Sequence, residues 1–348
     1  MKNSCLLVNK HWLAFGALFF CFNIALQKMN AQFAKGADIG WLDQMEATGC
    51  KFYDSNGIQK DCIQILKEKG INTIRLRVWV NPSNDKVSGY CSKKEVAKMA
   101  LRAKNRGMRI MIDFHYSDTW ADPSHQLKPA AWAGHSFAQL LDDVYRHTFE
   151  VLDTLKRIGV TPEWVQIGNE ITDGMLLPDG STDNWSRLAQ LLNKGYEATK
   201  LIDKKIKVII HLDKGIDNNC CRQFFDNATK YKVHYEVIGM SYYPFWIKSD
   251  YTQTIEALGK NLNDLAKRYG KEVMIVEIGG DYTQEQNTYD MLVAVQKKIE
   301  AIPHKKGLGV VYWEPEGKMS WSGYQLNCWR NDGRPSKAMD AFLTNSKN

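Results

Sequence analysis

Short runs of β-branched and apolar residues recur along the chain, and longer stretches between them carry apolar positions three and four apart. The runs are Phe33–Gly40, Thr73–Val80, Arg109–Ser117, Trp164–Glu170, Lys207–Asp213, Val237–Trp246, Glu272–Gly280 and Gly309–Pro315. Runs of this kind predict strands. The three-four spacing predicts amphipathic helices, notably over Ile58–Lys69, Lys93–Arg106, Phe137–Ile158, Trp185–Leu201 and Asn261–Tyr269. Gly70, Gly107, Gly159 and Gly270 stand just past four of these stretches, where a left-handed residue commonly ends a helix.

Eight strands alternating with helices predict an α/β fold, a closed (β/α)8 barrel in a single domain. An open doubly wound sheet would call for a Gly-rich phosphate turn after its first strand, and Gly36 and Gly40 do not form one. In such a barrel the working side chains come from the C-terminal strand ends. Polar residues collect there: Asp113 and His115, Asn169 and Glu170, His211 and Asp213, Ser241, Glu277, and Glu314. On the second strand Arg75 and Arg77 share one face by the period-two rule.

Composition changes the picture mainly at the N-terminus. Lys2 and Lys10 lead into an apolar stretch from Trp12 to Leu26, and no acid occurs before Asp38. That pattern predicts a secretory signal over residues 1–31 and a catalytic domain over residues 32–348, exported to the periplasm or cell surface. A retained anchor would ask for about twenty apolar residues. Cys21 is an alternative lipid-attachment position, although Phe19 and Phe20 before it are not small. Removing the leader takes away three lysines and no acid, so the formal net charge falls from +7 to +4. Basic and acidic residues are interleaved, which argues against a nucleic-acid partner. Six cysteines remain, and export would permit disulfides whose pairing the spacing does not assign.

Two of the strand-end acids suggest chemistry. Glu170 and Glu277 each close an apolar run, on the fourth and seventh strands, where they can converge across the barrel mouth. Glycosidic cleavage needs one protonated carboxyl to donate to the leaving oxygen and one ionised carboxyl to attack or steady the anomeric carbon. Arg75 near Glu277 would keep that acid charged, while a less compensated Glu170 would hold its proton. Asn169 could bond a sugar hydroxyl. Eleven tryptophans and fifteen tyrosines, several in strand-to-helix loops, supply faces for sugar rings. The segment from Tyr116 to Pro123, with Trp120, is the expected sugar-contacting wall.

Several motifs resemble the family 53 glycoside hydrolases, the arabinogalactan endo-β-1,4-galactanases. They are the runs Arg75–Pro82, Asp113–Pro123, Val165–Thr172, Gly174–Gly180, Ser241–Trp246 and Tyr312–Pro315. The resemblance implies a (β/α)8 barrel of a retaining clan, with Glu170 as acid/base and Glu277 as nucleophile. It implies Arg75 and Tyr243 as hydrogen-bond partners of the nucleophile, with Tyr242 as the neighbouring alternative. The expected substrate-binding set is Arg75, Asp113, His115, Asn169, Tyr243, Trp120 and Trp313. The implied substrate is the β-1,4-galactan side chain of pectin, cut internally, with no obligate protein partner. No cofactor is expected. Some bacterial relatives bind calcium on a long acidic loop after the seventh strand, but here Gly279–Thr283 leads almost directly into a helix. Two other readings remain: the same barrel acting on mannan or glucan, and a catalytically silent glycan-binding protein.

Overall fold

The computed structural model describes residues 32–344, so the expected leader lies outside the described residues. Eight parallel strands close into a barrel. They are β1 (Ala34–Asp38), β2 (Thr73–Val78), β3 (Arg109–Phe114), β4 (Trp164–Ile167), β5 (Lys207–Leu212), β6 (Val237–Tyr242), β7 (Glu272–Ile278) and β8 (Gly307–Trp313). Each pairs with its sequence neighbour, and β8 closes on β1. All eight expected strands are present, and most are trimmed at their C-terminal ends. The chain leaves β4 at once because Gly168 and Glu170 both take positive φ, 80° and 50°.

Helices fill the intervals: Lys93–Asn105, Phe137–Arg157 and Trp185–Ile202 nearly as the spacing predicts. The stretch expected from Ile58 starts instead at Cys62, where the Asp61 side chain caps the Gln64 amide. The one expected from Asn261 starts at Tyr251, capped by Asp250. Gly70, Gly107, Gly159 and Gly270 all hold positive φ at helix ends, as expected. Two further helices, Asn218–Lys230 and Glu285–Glu300, complete the ring.

The lower barrel is plugged by Ala34, Met111, Trp164, Ile209, Met274 and Val311. This apolar floor leaves polar side chains room only at the upper end. There β6 and β7 slip register: Met240 pairs with Ile275 but Ser241 pairs with Glu277, making Val276 an extra residue. Bulges of this kind re-aim side chains, and this one sets Glu277 beside Ser241. All six cysteines among the described residues are free thiols, four of them buried. No described helix is long and apolar enough to cross a membrane.

Candidate active site

A cleft of about 800 Å³ opens over the C-terminal strand ends, and both Glu170 and Glu277 line it. Glu277 stands one residue before the end of β7 and is buried. Its Oε1 lies 2.9 Å from Arg75 Nη2, and its Oε2 accepts from the Tyr243 hydroxyl at 3.2 Å. Tyr242 turns its hydroxyl away to Thr254 at 2.7 Å, so Tyr243 is the tyrosine that reaches the carboxylate. Glu170 is half-buried and sits in the left-handed region, uncommon for a side chain with a Cβ and frequent at functional sites. Its Oε1 accepts from Ser241 Oγ at 2.5 Å.

Arg75 organises the floor of the cleft. Its Nη1 meets Asp38 at 2.6 Å, and its Nη2 meets Asp113 at 2.9 Å as well as Glu277. The same Nη2 donates to Asn169 Oδ1 at 2.9 Å. One buried guanidinium therefore compensates three carboxylates. Burial pushes the Glu277 carboxyl up, and Arg75 offsets this only in part because Asp113 and Asp38 oppose it. Glu170 is also pushed up, by burial first and by Glu277 second, against the hydrogen bond from Ser241 and a smaller share of Arg75. Burial thus raises both carboxyls, against the expectation that Arg75 simply keeps Glu277 charged, and what separates the two is the Arg75 ion pair on Glu277.

The remaining expected site residues divide by depth. Asn169, His115, Trp120 and Trp313 line the cleft with Tyr243. Arg75 and Asp113, expected to touch substrate, do not: both are fully buried behind the carboxylates. Asp113 spends its oxygens on Gln166 Nε2 at 2.6 Å, His115 Nε2 at 2.9 Å and Arg75. Neither residue lines the cleft, so both support the site rather than bind in it. His115 is likewise committed, since its Nδ1 accepts from the Trp79 indole and the Ala121 amide, both at 3.1 Å. It can offer substrate only its ring.

The aromatic wall is a packed set. Trp313 lies edge-on to Trp41 at 5.1 Å, Trp120 at 5.6 Å and Tyr324 at 4.7 Å between centroids. The Arg77 guanidinium sits 4.5 Å from the Trp120 ring centre and is ion-paired with Glu314. Gly40 permits this, because a Cβ there would lie 2.2 Å from Arg77 Nη1. On the opposite side Trp246 is 62% exposed and lines the same cleft, which makes it a free platform.

Three residues without an expected role join the site. His211 Nε2 lies 2.8 Å from Ser241 Oγ, and its Nδ1 lies 3.0 Å from Gln166 Nε2. Burial, then Arg75 and His115, push the His211 ring well below the usual histidine range and keep it neutral. Only the polar strand ends at positions 211 and 241 marked these residues in the sequence, and Gln166 within β4 carried no signal. Among the described residues no cluster of His, Cys, Asp or Glu could hold a metal ion.

The arrangement offers a proton-holding acid and a second acid anchored on Arg75, facing one aromatic-walled groove. Comparison with known proteins agrees. Residues 34–290 match the model of glycosyl hydrolase family 53. The endo-β-1,4-galactanase of Bacillus subtilis (strain 168) is 35% identical over 83% of this chain and 71% of its own length. The arabinogalactan endo-β-1,4-galactanase of Thermothelomyces thermophilus is 34% identical over 81% of this chain and 89% of its own. Among solved structures, the GH53 catalytic domain of Ignisphaera aggregans superposes with a TM-score of 0.84 at 29% identity, covering 91% of this chain and 97% of that one. A fungal β-1,4-galactanase gives 0.81 at 29% identity, covering 90% of this chain and all of that one. The chain belongs to glycosyl hydrolase family 53, and it is a glycoside hydrolase.

Proposed function

We propose that the chain hydrolyses internal β-1,4-galactosidic bonds of galactan by a retaining double displacement, with Glu277 as nucleophile and Glu170 as acid/base. The observation that carries this reading is the unequal support of the two carboxyls across one cleft. Glu277 is held in one orientation by Arg75 at 2.9 Å and Tyr243 at 3.2 Å, and Arg75 offsets part of the rise that burial imposes on its carboxyl. Among the described residues Glu170 forms no ion pair, and burial raises its carboxyl, which favours the proton it must deliver. In the first step Glu277 attacks the anomeric carbon while Glu170 protonates the departing oxygen. In the second Glu170 takes a proton from water, and that water's oxygen displaces Glu277. The chemistry calls for no cofactor.

The substrate assignment rests on the galactanase relatives and on the open groove, which suits a polymer bound along its length. Reducing-end release from linear β-1,4-galactan, beside mannan and glucan, tests it. A ladder of galacto-oligosaccharides is expected, with little release from the other two polymers. Preferred cleavage of mannan or glucan would reassign the substrate, and no release from any polymer would favour a silent glycan-binding protein. The basic and then apolar N-terminus supports export. N-terminal sequencing of protein recovered outside the cytoplasm should begin close to residue 32, and retention of Met1 would refute cleavage.

A further inference from the structure

Behind Glu170 runs a hydrogen-bonded chain with a single workable direction. Resting on the acid/base role of Glu170, we propose that His211, as the neutral Nε2–H tautomer, is a positioning residue that turns the Ser241 hydroxyl into Glu170 Oε1 and so confines the catalytic proton to Oε2.

Counting donors gives the direction. Ser241 Oγ has one hydrogen and two neighbours, Glu170 Oε1 at 2.5 Å and His211 Nε2 at 2.8 Å. Once Glu170 has given up its proton, Oε1 can only accept, so the serine hydrogen must lie on that side. Nε2 must then be the donor to Ser241. The other tautomer would set two acceptors against one hydrogen, and a buried unpaired acceptor is costly.

The far end of the imidazole fits the same tautomer. Two N–H groups point at Nδ1: Gln166 Nε2 at 3.0 Å and the Glu170 backbone amide at 3.4 Å. Asn169 Oδ1 also lies 2.9 Å from Nδ1, but it already accepts from Arg75 Nη2 at 2.9 Å, while the two hydrogens of Gln166 Nε2 go to Asp113 Oδ1 at 2.6 Å and to Nδ1. Its own orientation is fixed, because Asn169 Nδ2 donates to the Ala121 carbonyl at 2.8 Å. The charged groups facing the ring and Glu170 are Arg75, Glu277 and Asp213, with His115 beyond.

A fixed chain serves both half-reactions. In the first, the Oε2–H bond breaks toward the leaving oxygen, its electron pair stays on the carboxylate, and Oε1 already receives the serine hydrogen. In the second, a water O–H bond breaks, the proton returns to Oε2, and the water oxygen bonds the anomeric carbon. Oε1 never carries a proton, so His211 need not change tautomer during turnover.

Two measurements test this on the full-length enzyme. Histidine-selective ¹⁵N NMR, with the His211 signal assigned by its loss in His211→Gln, should show a protonated Nε2 and bare Nδ1 throughout the pH range in which galactan is cut. An Nδ1–H ring or an imidazolium there would overturn the proposal. The alkaline limb of kcat/KM on galactan should move upward by about one pH unit in Ser241→Ala, since a donor to the charged form is lost. Ser241→Thr, which keeps the hydroxyl, should hold the wild-type limb. A folded Ser241→Ala enzyme with an unmoved limb would refute the role of the chain. Full activity in Glu170→Gln would instead sink the acid/base assignment itself, so the two failures are distinguishable.

Discussion

Replacing Arg75 by Lys keeps the charge and removes the fork. The guanidinium spans two directions, with Nη1 on Asp38 at 2.6 Å and Nη2 between Asp113 and Glu277, both at 2.9 Å. A single ammonium can serve one side of that span but not both. The variant therefore leaves one or two buried carboxylates short of a charged donor. Hydrogen bonds to charged groups are worth about 1.5–3 kcal/mol each, and breaking a buried ion pair costs about 3–5 kcal/mol, so a loss of about 3–5 kcal/mol is expected. Urea unfolding should show a lower midpoint with an unchanged slope. The second consequence is catalytic. Arg75 pulls the Glu277 carboxyl down against burial, so weakening it lets that pKa rise. Activity requires the Glu277 carboxylate, and the acid limb of kcat/KM should shift to higher pH. A variant within about 1 kcal/mol of wild type with an unmoved acid limb would refute the view that this guanidinium holds the floor of the site.

Three other perturbations probe separate parts of the molecule. Glu170→Gln should lower turnover of galactan by roughly 10²–10⁴-fold, with a far smaller loss in the first step for a dinitrophenyl galacto-oligosaccharide whose leaving group needs no proton; equal losses would contradict an acid role. Glu316 is fully buried, and burial with neighbouring Glu314 raises its carboxyl well above the usual range. Because its folded pKa is raised, its stabilising contribution is complete below the unfolded value and is lost as pH rises toward the folded one. Glu316→Gln should therefore match wild type in thermal stability near pH 4 and gain over it by about 1.4 kcal/mol for each pH unit above, until the folded pKa is reached; a gap that does not widen with pH would refute this. Gly40→Ala should cost about 1–3 kcal/mol in urea unfolding, since its Cβ would fall 2.2 Å from Arg77 Nη1; a neutral result would show that Arg77 can move freely.

The barrel was legible because its signals are local. Each strand is an apolar run, and each of four helices stops at a glycine that the structure places at positive φ. Glu170 and Glu277 stood out because an acid closing an apolar run is unusual, and both line the cleft. Asn218–Lys230 escaped notice because it opens with Asn218, Asn219, Cys220 and Cys221, weak helix formers that rely on the Asp217 cap and on packing. Depth was the harder quantity to read. Arg75 and Asp113 occupy the same polar layer as Asn169, yet closure of the barrel leaves the first two wholly buried and the third at the surface of the cleft. The partners of Glu170 were hidden for a related reason. Ser241 is 71 residues away and His211 is 30 residues from Ser241, so only the paired strands bring them together.

The division of labour between the two carboxyls is tested most directly by trapping the covalent intermediate. A 2-deoxy-2-fluoro galacto-oligosaccharide bearing a dinitrophenyl leaving group should accumulate as a glycosyl-enzyme, and peptide mass mapping should place the sugar on Glu277. A sugar found on Glu170, or products released with inverted anomeric configuration, would contradict the account.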